Sequence, residues 1–86
     1  MDLPEIFRDF KQIEREYELR RTLEVVVRDT TYRIEVLYCY SNENSPWFPQ
    51  VYSRTSSNWK HLPHLGWVSE RSEELAIRLA LSFITD

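Results

Sequence analysis

The spacing of apolar residues changes partway along this 86-residue chain, and that change limits the fold more than any other feature. Leu3, Ile6, Phe7, Phe10, Ile13 and Tyr17 recur at steps of three and four, which lays one apolar stripe along a helix. Asp2 can cap it, Pro4 sits in the first turn, and Glu5 completes a capping-box pattern. The spacing predicts a helix from Leu3 to about Leu19. From Thr22 the step becomes two. Leu23, Val25 and Val27 share one face of a strand over Thr22–Arg28. Tyr32, Ile34, Val36, Tyr38 and Tyr40 share one face of a second strand over Thr31–Tyr40, with Arg33 and Glu35 opposite. β-Branched and aromatic residues dominate both, as strands favour.

The connection between these strands carries no Gly, which tight hairpins prefer. With Asp29-Thr30 as the turn, Val27 meets Tyr32, Val25 meets Ile34 and Leu23 meets Val36. That register also sets Glu24 against Glu35, an unfavourable cross-strand pair. A four-residue connection keeps the same faces without that clash, so the register stays open.

Ser41-Asn42-Glu43-Asn44-Ser45-Pro46 reads as a loop. Phe48–Thr55 reads as a third strand, and Pro49, which cannot donate to a ladder, places it at an edge. Ser56–Val68 reads as irregular, punctuated by Pro63 and Gly66. Ser69 is the expected cap of a last helix, with Glu70, Glu73 and Glu74 at its positive end. Leu75, Ala76, Ile77, Leu79, Ala80, Leu81, Phe83 and Ile84 then cover well over half of its circumference. The predicted architecture is a single α+β domain of order α-β-β-β-α, a three-stranded antiparallel sheet with both helices on one face. That order resembles the double-stranded RNA-binding fold, whose members carry a Lys-rich cluster at the start of the second helix. Here that position reads Ser69-Glu70-Arg71-Ser72-Glu73-Glu74, and three carboxylates there would repel phosphate.

Composition removes several classes. With 42% hydrophobic residues and one glycine, the chain is neither disordered nor collagen-like. One cysteine, Cys39, cannot form an internal disulfide. No apolar run is long enough to span a bilayer. The acidic N-terminus lacks an apolar signal core, so a cytoplasmic location is expected. A formal charge of −3 gives no general attraction to phosphate or anionic lipid.

Few residues point to chemistry. His61 and His64 are three apart, too few for zinc, which takes three or four ligands. Cys39 falls on the strand face opposite Tyr38 and Tyr40, where a small packing residue is expected. One glycine cannot build a phosphate loop. No catalytic residue, metal or cofactor is expected. The unusual feature is aromatic: Trp47, Phe48, Tyr52, Trp59 and Trp67 crowd into the stretch Asn44–Val68, which has no Asp or Glu. Such rings can complete a small core. Set beside cations, they also match the centre of a protein interface. The expected function is that of a small, non-catalytic cytoplasmic binding or regulatory protein that docks on a partner protein. The candidate residues are Trp47, Phe48, Arg54, Trp59, Lys60, His61, His64 and Trp67, with the Val51–Arg54 edge as a place for an added strand. The alternative is nucleic-acid binding, of RNA or a single strand, through the same region, by stacking of unpaired bases or as a degenerate double-stranded RNA-binding surface. It ranks second because of the net charge and the acidic helix start. The broadly apolar last helix also offers a homodimer interface.

Overall fold

The computed structural model describes residues 2–86. Helix α1 spans Leu3–Arg8, and α2 spans Glu73–Thr85. Between them run β1 (Tyr17–Val27), β2 (Thr30–Cys39), β3 (Trp47–Thr55) and β4 (Asn58–Leu62), with a 3-10 turn at Pro63–Leu65. The strands pair in chain order as one four-stranded antiparallel sheet, flanked by the two helices. The expected three-stranded sheet is therefore corrected to four, and the likeness to the double-stranded RNA-binding fold goes with it.

The added strand lies where irregular chain was expected. β4 is short, and only Leu62 of it packs against the core, so it carries little apolar alternation. Its connection to β3, at Ser56-Ser57, lacks Gly and places Ser56 at φ 57. β4 also makes β3 an interior strand, overturning the edge assignment at Val51–Arg54. Pro49 is tolerated because β4 pairs only with Val51–Thr55. Pro49 lies beyond that ladder, so its missing N–H breaks no bond to β4.

The β1–β2 turn is also without Gly. Arg28 and Asp29 occupy it at φ 50 and φ 64, the two positive values of a type I′ turn. Val27 then faces Thr30, Val25 faces Tyr32 and Leu23 faces Ile34. Glu24 meets Arg33, with Nη2 and Oε1 3.4 Å apart, instead of Glu35. The observed register keeps the expected faces and replaces the Glu24–Glu35 clash by a pair of opposite charge.

The long first helix is the largest departure. Only Leu3–Arg8 is helical, and it buries no residue. Asp2 makes no side-chain cap; its carbonyl accepts from the Ile6 N–H at 3.2 Å. Successive turns follow, with Phe10 N–H on the Phe7 carbonyl and Ile13 N–H on the Phe10 carbonyl, each 3.1 Å. Phe10 is left 55% exposed. The far end of the predicted helix belongs to β1, where Tyr17, Glu18 and Leu19 pair with Cys39, Tyr38 and Leu37. Pairing the far end of β2 outweighs helical periodicity, because the unpaired strand would waste backbone donors and acceptors. The register shifts between Leu19 and Arg21, so Arg20 is the extra residue of a bulge.

The core lies between the sheet and α2. Ile34, Val36 and Val51 are buried against Ala76, Ala80 and Ile84. Leu23, Val25, Ile77 and Leu81 pack around it, as do Leu62, Leu65 and Phe83. The cap of α2 is Ser72 and not Ser69: its Oγ accepts the Leu75 N–H at 3.1 Å. Glu70 instead forms an isolated bridge with Trp47, in bonds of 3.1 and 2.8 Å. Arg21 pairs with Glu73 at 3.2 Å, and Arg28 Nη2 donates to the Thr85 carbonyl at 2.7 Å. These two contacts align α2 with β1.

In urea unfolding, Ile34→Ala is expected to cost about 2–5 kcal/mol, and Phe10→Ala about 0.5 kcal/mol or less. Ser72→Ala should cost about 1 kcal/mol; a larger loss from Ser69→Ala would mean that the helix starts earlier.

Candidate functional site

The side chains of each strand alternate between two faces. One face packs under α2. The other, carrying Tyr17, Leu19, Glu24 and Val26 of β1 with Arg33, Glu35, Leu37 and Cys39 of β2, has no helix packed over it among the described residues. Phe48, Gln50, Tyr52 and Arg54 of β3 continue it, and Trp59 and His61 of β4 complete it. Among the candidate residues, Phe48, Arg54, Trp59 and His61 therefore share this open face, and Trp67 folds back onto it.

The open face has two ends. At the first, Trp67 stacks on Tyr17 with centroids 5.5 Å apart and planes 28° from parallel. Phe48 meets Tyr17 edge-on at 5.5 Å and Trp67 at 6.2 Å. Phe48 and Cys39 are buried, yet Trp67 remains 61% exposed. These residues line an open cleft of about 460 Å³, together with Glu14, Arg15, Ser41, Asn42 and Ser69. Gly66 makes the approach possible: with φ 57 and ψ −135 it turns the chain in a way that side-chain-bearing residues avoid.

At the second end, two guanidinium groups approach Trp59. The Arg33 carbon sits 4.2 Å from a Trp59 ring centroid, and the Arg54 carbon 5.7 Å. Arg33 Nε is buried without a hydrogen-bond partner, and the indole face above it supplies an electrostatic contact instead. Between the ends, Gln50 is only 7% exposed. Its Nε2 donates to the Pro49 carbonyl at 3.0 Å and to the Gly66 carbonyl at 3.2 Å. Its Oε1 therefore accepts from His61 Nε2–H at 2.7 Å. The His61 ring also packs on Tyr52 at 5.1 Å. Burial, and then the Glu35 carboxylate, hold the Tyr52 hydroxyl above its usual pKa.

The other candidates lie elsewhere. Lys60 points to the helix-covered side and is exposed. His64 sits on the 3-10 turn, 5.4 Å from Phe83 of α2. The two histidines thus diverge. Trp47 faces away from the open side, edge-on to Tyr38 at 4.9 Å. There Arg20 reaches 4.4 Å from the Tyr38 centroid, 5.7 Å from Tyr40 and 5.8 Å from Trp47. Glu18 pairs with Arg20 and accepts from the Tyr40 hydroxyl at 2.7 Å. Phe7 of α1 meets Tyr40 edge-on at 5.7 Å. This network closes the end of the sheet that α2 does not reach.

Sequence reasoning missed Tyr17, Arg33, Glu35 and Gln50 as members of the candidate face. The alternation that placed Arg33 and Glu35 opposite Ile34 carried the signal, but it described a solvated side with no aromatic neighbour. Comparison with protein-family models, with curated proteins and with solved structures returned no match.

The Tyr40 hydroxyl, and then Arg20, hold the Glu18 carboxyl below its usual range. A carboxyl lowered in the folded state adds stability that is complete above its unfolded pKa. That stability is lost as pH falls through the folded value. Tyr40→Phe removes the larger cause, so Glu18 is expected to titrate at higher pH in the variant by carboxyl NMR. An unchanged midpoint would assign the shift to Arg20.

Proposed function

We propose that this chain is a non-catalytic binding domain that docks another protein across the open face of its sheet. The observation that carries the reading is Trp67, a large aromatic left 61% exposed at the mouth of a cleft walled by Tyr17 and Phe48. Exposed Trp beside a preformed cleft matches the anchor-and-pocket composition of interface centres. Trp59, approached by Arg33 and Arg54, supplies a second anchor across the same face, and Leu19 and Val26 add exposed apolar area.

Charge favours a protein over a nucleic acid. The two guanidiniums on this face, Arg33 and Arg54, are matched by the carboxylates Glu24 and Glu35, and Arg33 is paired with Glu24. A balanced face releases few counterions on meeting phosphate, whereas it suits the mixed polar rim of a protein partner.

The test is capture from lysate of the source cells with the immobilised chain. Wild type is compared with Trp59→Ala, Trp67→Ala and, as a control on the helix side, Arg78→Ala. The expected result is a protein that survives a high-salt wash, is lost with either tryptophan variant and is kept with the control. A protein lost equally with Arg78→Ala, or nucleic acid held only at low salt, would overturn the reading.

A further inference from the structure

The two edges of the sheet are protected unequally. β4 is short, carries Lys60 and runs directly into the 3-10 turn, devices that discourage strand addition. β1 is the longest strand, and among the described residues no neighbour pairs with its outer side. Its first half is guarded by the bulge at Arg20 and by Glu18, Arg20 and Arg21. Its second half, Thr22–Val27, is regular and ends in three valines, of which Val26 is 70% exposed. The two-residue turn makes Val27 and Thr30 a hydrogen-bonded pair. Alternation then turns the backbone groups of Val26, Glu24 and Thr22 outward.

We infer that this edge pairs with the same edge of a second copy, antiparallel across a two-fold axis at Val25. The charges select the register. Centring on Glu24 or on Arg21 sets like charges directly opposite each other, which destabilises a strand pair. Centring on Thr22 or on Leu23 requires the bulged Arg20 to join the ladder. Centring on Val26 keeps only Val25–Val27 within the strand, whereas centring on Val25 pairs the whole of Leu23–Val27 and uses only the regular half. Glu24 then faces Val26 of the second copy with both outward backbone groups bonded, and Leu23 faces Val27. No like charges meet. On the helix-covered side, Leu23, Val25 and Val27 are only half-buried, since α2 lies over β2 and β3. Their counterparts from the second copy would continue the same apolar row. The ladder is short, below the size of a standard interface, so the dimer is weak and concentration-dependent.

Two variants and one trap test this. Val26→Pro removes an outward N–H that serves no bond within the chain, which an edge strand tolerates. Sedimentation should show a monomer–dimer equilibrium for the wild-type chain and a folded monomer for Val26→Pro. Val25→Cys puts two thiols opposite each other at a non-hydrogen-bonded pair, where Cα atoms are about 4.5 Å apart. That is within disulfide reach, and oxidation should yield covalent dimer. Glu24→Cys should yield several-fold less, and the wild-type chain with its buried Cys39 essentially none. A wild-type chain that stays monomeric to about 1 mM, where any specific dimer of about −4 kcal/mol would appear, overturns the proposal. So does a dimer untouched by Val26→Pro, or one trapped equally well at positions 24 and 25.

Discussion

The molecule depends on how low α2 can sit on the two central strands. Ala76 and Ala80 are fully buried against Ile34, Val36 and Val51. Alanine ends at Cβ, so the helix backbone comes close to the sheet and larger residues flare to either side. Ile77 and Leu81 then lie toward β1, as the contacts of Glu73 with Arg21 and of Thr85 with Arg28 require. Phe83 lies on the other flank, beside His64. This seating explains why the helix is apolar around so much of its circumference. It fills a trough and serves two flanks at once.

A single helix covers one side of one sheet. With α1 short and unburied, the other side has no second layer and must be compatible with water along most of its length. The sequence meets that demand unevenly. Glu24, Arg33, Glu35, Gln50 and His61 make the middle and one end polar, while Tyr17, Leu37, Cys39 and Phe48 make the other end apolar. Trp67 reaches across that apolar end. The candidate face is thus what remains when a four-stranded sheet is given one covering helix.

Much of this was legible in the sequence, and the failures have physical causes. Strands β1 and β2 were visible because one of their faces is buried and alternation is strict there. The last helix was visible for the same reason, at a period of 3.6. The first helix was overread because its stripe is real but nothing in the fold is free to bury it, and Tyr17 gains more from Phe48 and Trp67 than from a helical turn. β4 escaped notice because its larger side chains, Trp59 and His61, belong to the open face. Both tight turns use Arg28, Asp29 and Ser56 in left-handed backbone, where a reader looks for glycine. Of the candidate site, the aromatic crowding was legible. Its division between two faces was not, because that depends on a strand register that Pro49 disguised.

The meander has a kinetic meaning as well. Every strand pairs with its neighbour in the chain, through turns or a short loop, so each hairpin can zip without closing a long stretch of polymer. Only α2 must come back from a distance, crossing from the far end of the chain to lie over β2 and β3. Topologies rich in local pairing fold fast, so the hairpins are expected to form early. The search of α2 for its trough, guided by the rung between Trp47 and Glu70, then becomes the step on which productive folding waits.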